Sequence, residues 1–206
     1  MSDRMALKIA IDLMHVPSQV RLVRSEPLPG DVQILLQIVA GDEEVESAAV
    51  ALSGRSRSTV QQAATFFIEQ ILFAPQADSY RVLGASPRAS ASELRRNVAL
   101  LLRWLHPDLD PEGERSIFIG RVTAAWNDLK TPERRAAYDK MLQSSYERDG
   151  DRRNSRKFRF RRTRSGKRLN SAGSYQTRSS RHGPGLDANG FWRRVLSVLF
   201  DRPLVR

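Results

Sequence analysis

The sequence predicts an all-α fold. Apolar residues recur at helical spacing within 60–73, 94–105 and 118–129. Residues that cap helices, among them Asp31, Asp78 and Ser90, stand just before apolar runs. Gly41, Gly54, Gly84, Pro75 and Pro107 cut the chain into helix-sized pieces.

The first 30 residues are the least decided. Leu7–Leu13 alternates apolar and mixed residues and suits either a short strand or the start of a helix. Ser25–Gly30 is a turn by its proline and glycine content. Asp31 is placed to cap a helix over 32–40, which Gly41 stops. Asp42, Glu43 and Glu44 then open a helix through Leu52, with their charges near the positive end of its dipole. Gly54 ends it. Thr59 precedes a longer helix, Val60–Phe73, with Ala63, Ala64, Phe67, Ile68, Ile71 and Leu72 on its apolar side. Residues 1–77 thus read as a small helical module without a recognisable site. Glu69 and Asp42 read as solvated helix charges.

Residues 78–142 form a second unit. Asp78 caps a short helix that Gly84 stops, and Ser90 or Ser92 caps the next, Ser90 with Glu93 making a capping-box pattern. In that helix Leu94, Val98, Leu101 and Leu105 share one face. Pro107 cannot continue it, so His106-Pro107-Asp108 falls on a loop just past its end. A third helix, about 114–130, carries Phe118, Val122, Ala125, Trp126 and Leu129 on the matching face. Two amphipathic helices joined by a short loop pack antiparallel. A last helix starts at Pro132 and runs to about Leu142.

The remainder has a different composition. Net charge is +11 over 206 residues, but residues 147–206 alone hold 17 Lys and Arg against 5 Asp and Glu. The body is therefore near neutral and the tail basic, so an anionic partner suits the tail. Residues 143–190 read as a disordered basic linker, because they cannot bury enough apolar area to offset the entropy of ordering. Its most basic stretch contains Arg152, Arg153, Arg156, Lys157, Arg159, Arg161, Arg162, Arg164, Lys167 and Arg168, with no acid and with Phe158 and Phe160 interleaved. Cations attract phosphates and aromatics stack on bases. Nucleic acid, ribosome and anionic membrane are all open as partners. Residues 191–206 begin with a short amphipathic helix, 191–200, that suits a docking groove or a membrane surface.

Several classes are disfavoured. The chain has no cysteine, and its histidines, His15, His106 and His182, are far apart, so no metal cluster is expected. No nucleophile–base set and no phosphate-cradling glycine loop stands out, and no enzyme activity or cofactor is expected. Without cysteine or a leader-like start the protein is expected in the cytoplasm, peripheral to a membrane if the terminal helix docks there.

The motifs of 78–142 resemble a J-domain, the module of DnaJ-type co-chaperones. The matching residues are Tyr80-Arg81-Val82-Leu83-Gly84, Ala89-Ser90, Glu93-Leu94-Arg95-Arg96, His106-Pro107-Asp108, Ala125-Trp126, Leu129 and Pro132–Asp139. The resemblance implies a helical-hairpin fold that binds a DnaK-type heat-shock chaperone and stimulates its ATP hydrolysis. It implies that Asp108 pairs with an arginine of that ATPase, that Pro107 fixes the loop and that His106 orients it. It also implies docking through a basic second helix, here Arg95, Arg96 and Arg103. Ala99 and Leu100 depart from that pattern at positions where Lys or Arg is common in the family, and Leu105 replaces the usual Tyr. Steering onto an acidic surface is then weaker, and an apolar contact through Leu100 and Trp104 is one compensation. The competing reading is a scaffold or localisation protein whose basic tail carries the function. Neither reading names a client.

Overall fold

A computed structural model of the chain describes residues 5–106 and 115–145. The chain divides between Arg135 and Ala136 into two compact units. Among the described residues every regular element is helical. None of these helices is long and apolar enough to cross a membrane.

The ambiguous start is a helix, α1, Met5–His15. Ala6, Leu7, Ala10, Ile11 and Leu13 are its buried residues, a helical rather than an alternating pattern. After a single 3-10 turn, Pro17–Gln19, come α2, Val20–Ser25, and α3, Val32–Val39. Asp31 precedes α3, but its side chain makes no bond to that helix. The carboxylate instead accepts from the Ala6 amide at 3.0 and 3.2 Å, capping the first turn of α1 from 25 residues away. The expected local cap is therefore a long-range one.

Helix α4, Glu43–Ser53, starts as expected: Asp42 accepts from the Val45 amide at 3.2 Å. It ends at Gly54, whose φ of +62° is a left-handed conformation that glycine adopts without a Cβ clash. Helix α5, Arg57–Phe67, begins earlier than its apolar spacing suggests. Ser56, not Thr59, is the cap, accepting from the Thr59 amide at 3.2 Å. Its Val60, Ala63, Ala64 and Phe67 are fully buried, and α1, α3 and α4 pack around it. The alanines let these neighbours approach closely. Each buried leucine or phenylalanine of this core, such as Leu35, Leu36 and Phe67, stabilises the fold by about 1.5–3 kcal/mol.

The α5 run does not continue as a regular helix. Ile68–Leu72 is a π-helical turn, closed by the Phe73 amide donating to Ile68 O at 2.9 Å. Arg24 of α2 holds this turn, donating to the Gln70 carbonyl at 2.7 Å and to its side-chain oxygen at 3.1 Å.

The second half continues the same core. Helix α6, Ser79–Val82, is capped by Asp78, which accepts from the Arg81 amide at 2.9 Å. Helix α7, Ala91–Trp104, is capped by Ser90, which accepts from the Glu93 amide at 3.1 Å. Helix α8, Ser116–Leu129, packs on both α6 and α7. Leu94, Val98, Leu101 and Leu105 from one side and Val122, Ala125, Trp126 and Leu129 from the other are buried, as their spacing predicts. A last helix, α9, covers 132–145 and so runs past its expected end at Leu142.

The two halves interlock. Helix α3 packs against α7. Gly84 (φ +61°) sits under Val32, Leu36 and Leu72, where an added Cβ would lie 3.2 to 3.4 Å from their side chains. Arg81 donates to the Glu26 carbonyl. Residues 5–77 and the α6–α8 region therefore share apolar and polar contacts and are not two independent cores.

Candidate chaperone-docking site

The described part of the site is α7 and the residue that follows it. Helix α7 has one apolar and one polar side. The apolar side faces α8 and α3. The polar side leaves Arg95, Arg96 and Arg103 exposed. Arg96 and Arg103 are seven residues apart, about two turns, and so lie almost in line. Ala99 is exposed and Leu100 half-buried between these cations. The face is thus positive at both ends and uncharged in its middle, which attracts an acidic surface at two points.

At the end of α7 the Leu105 amide donates to Leu101 O at 2.9 Å and the His106 amide to Arg103 O at 3.2 Å. The helix is hydrogen-bonded up to the residue before Pro107. Pro107 and Asp108 lie outside the described residues. So do the cations of the basic stretch, Arg152 to Arg168, and the segment 191–200. The structure brings Arg95, Arg96 and Arg103 onto one helix face and places His106 at that helix's end.

Trp104 has a different role from the one considered for it. It is only 2% exposed and cannot meet a partner. Its ring stacks at 6.2 Å on Phe73, which itself stacks at 4.6 Å on Phe118 of α8. The Arg115 guanidinium lies over the Trp104 ring, 5.1 Å from its centroid. Phe73 and its neighbour Ala74 are held in turn by Arg121 of α8. That guanidinium donates to the Phe73 carbonyl and, at 2.7 Å, to the Ala74 carbonyl.

Asn97 also went unnoticed in the sequence. It is buried in α7 and donates to the Leu83 and Gly84 carbonyls at 3.0 and 3.2 Å. It thereby fixes the turn after α6 against α7. A polar residue beside Val98 on a buried stripe was the available signal, since buried amides almost always serve a hydrogen bond. For Arg121 the signal was a lone cation amid Ile117, Phe118, Ile119 and Val122.

Among the described residues no group of His, Asp or Glu is placed to hold a metal ion. The described part of the site is a set of exposed guanidiniums on one helix.

Comparison with known proteins agrees with this geometry. The family model of the DnaJ domain matches residues 78–139. The chain is 38% identical over 72 residues to "Chaperone protein DnaJ" of Tropheryma whipplei (strain Twist), covering 35% of this chain and 20% of that protein. It is 38% identical over 64 residues to the DnaJ of Leifsonia xyli subsp. xyli, covering 31% and 17%. With the DnaJ of Hydrogenobacter thermophilus it shares 33% over 73 residues, covering 35% and 20%. The chain thus spans about a fifth of the length of these relatives. No solved structure matches it significantly. The chain carries a DnaJ domain at residues 78–139.

Proposed function

We propose that the protein is a co-chaperone that binds a DnaK-type heat-shock ATPase through α7 and stimulates its ATP hydrolysis through His106-Pro107-Asp108. The observation that carries this reading is the DnaJ domain at 78–139, with that tripeptide directly after α7. Its functional unit is 78–142. Arg95, Arg96 and Arg103 dock on an acidic patch of the ATPase. Asp108 makes a charge-assisted hydrogen bond to an arginine of the partner, an interaction roughly twice as strong as a neutral one. It acts by favouring the partner conformation that hydrolyses ATP. The hydrolysis is the partner's chemistry, and the co-chaperone contributes contacts only.

The test is single-turnover ATP hydrolysis by a DnaK-type ATPase with the wild-type chain and with Asp108→Asn. Stimulation by the wild type and its loss in the variant are expected, because the amide keeps the shape and removes the charge. Equal rates for the two would sink the reading.

The basic stretch supports a second reading. Ten Lys and Arg in 152–168 with Phe158 and Phe160 between them suit an anionic partner such as nucleic acid, ribosome or membrane. On this reading the tail carries the function and the DnaJ domain recruits a chaperone weakly. Deleting 147–206 separates the two. Retained ATPase stimulation makes the tail a localising device. Absent stimulation, together with salt-sensitive RNA or liposome binding that the deletion removes, favours the scaffold.

A further inference from the structure

We propose that Phe73, at the end of the N-terminal helices, is a positioning residue for the chaperone-stimulating loop. It does so by tying together the end of α7 and the start of α8, the two helix ends between which His106-Pro107-Asp108 runs. This rests on the function proposed above.

Three independent features support it. The first is the ring stack. Phe73 is 3% exposed and touches Trp104, two residues before His106, and Phe118, three residues after Arg115. One side chain therefore bridges both helix ends, and aromatic pairs in this distance range attract beyond their burial. The second is the clamp on its backbone. Arg121 of α8 donates to the carbonyls of both Phe73 and Ala74, which locks Phe73 to the same helix that its ring touches. The third is the π turn. The Phe73 amide closes the turn Ile68–Leu72, whose wider hydrogen-bonding ring changes the direction of the following side chain relative to a regular helix. A regular continuation of α5 would present a different residue at this place. Irregular turns of this kind recur where a side chain must be aimed.

The function of the loop is geometric. A carboxylate that bonds an arginine of the partner must be held near its productive position, and small displacements of its supports cost activity. Trp104 and Phe118 flank the loop in the chain, and Phe73 is the ring that both touch. Through Phe73, residues 5–77 thus bear on the two helix ends that flank the loop.

The test uses the full chain with two substitutions, Phe73→Leu and Arg121→Met. The first keeps an apolar side chain and removes the ring. The second alters a side chain that is not deeply buried. Amide hydrogen exchange is measured at Leu105, His106 and Phe118, with Val60 and Leu94 as distant references. Single-turnover hydrolysis by a DnaK-type ATPase is measured against co-chaperone concentration. Exchange at the three loop-flanking amides is expected to accelerate about tenfold with Val60 and Leu94 unchanged. Maximal stimulation should fall roughly fivefold or more, while the half-saturating concentration stays within about twofold, because the docking cations are untouched. Unchanged exchange, uniform acceleration at all five amides, or full maximal stimulation in both variants would overturn the proposal. If Phe73→Leu does not fold, Arg121→Met decides alone. If the wild-type chain stimulates no DnaK-type ATPase, the proposed function fails, and local exchange still decides whether Phe73 positions these helix ends.

Discussion

Arg135 is bound to Tyr80 in two ways: its guanidinium donates to the Tyr80 hydroxyl at 2.9 Å and lies 5.3 Å from the centroid of the same ring. The same guanidinium donates to the Ala89 carbonyl at 2.8 Å and the Pro87 carbonyl at 2.7 Å. One cation at the start of α9 therefore organises α6 and the loop that leads into α7. Arg135→Met should lower stability by about 2–3 kcal/mol, since three acceptors lose a charged donor. Tyr80→Phe removes only one of these bonds and should cost about 1 kcal/mol. Urea unfolding of the two variants gives both numbers, and a larger loss for Tyr80→Phe would contradict the arrangement.

Gly84→Ala is the sharpest test of how the two halves interlock. The residue has φ +61°, and its new Cβ would meet Val32 at 3.2 Å and Leu36 at 3.3 Å. A left-handed backbone costs an alanine about 1 kcal/mol, and the forced shift of α3 adds to it, so a total near 2 kcal/mol is expected. The melting temperature should drop accordingly. Gly54→Ala, with a similar φ of +62° and open space around it, should lose only the backbone part.

Glu46 is buried in α4 with its Oε1 unpartnered, and its other oxygen is 3.6 Å from an Arg57 that is more than half exposed. A weak partner does not offset the desolvation of a buried carboxylate. Glu46→Met should therefore hold or raise the melting temperature, by no more than about 1 kcal/mol. A clear loss of stability would mean that the carboxylate is better paired than this geometry shows.

Glu133, in the first turn of α9, has its carboxyl held below the ordinary carboxylate range by its own backbone N–H, and further by the Thr131 hydroxyl. Its charged form is favoured by folding. The contribution is present above the unfolded value, roughly pH 4.3, and disappears as pH falls through the lowered one. Circular dichroism at decreasing pH should show a small loss of helix in this window. Glu133→Gln should flatten it.

Features of short range were readable from the residues alone. Asp78 and Ser90 cap where expected because the bond reaches only three residues along the chain. The buried faces of α7 and α8 were readable too, since helical periodicity encodes them. Asp31 was not, because its partner, the Ala6 amide, is far away in sequence. The strand alternative for Leu7–Leu13 stayed open for a related reason: it is decided by packing on α3 and α5. Trp104 was offered as a partner contact because nothing local shows what buries it. Phe73, which does so, comes from the far side of the turn after α5. Within the candidate site the basic helix face was legible from spacing. Its supports were not, because Asn97, Arg121 and Phe73 act through backbone carbonyls and ring stacks that no spacing rule marks.

The packing of Val32, Leu36 and Leu72 over Gly84, and of Phe73 over Trp104 and Phe118, sets a limit on how this chain can be cut or recombined. The family likeness begins at residue 78, but the apolar surface that must stay dry begins far upstream. A gene fragment transplanted at the family's edge would carry an open flank of tryptophan, phenylalanine and glycine into water. The structural block is the longer one, and the inner faces of α3 and the π turn constrain which side chains α7 and α8 can carry.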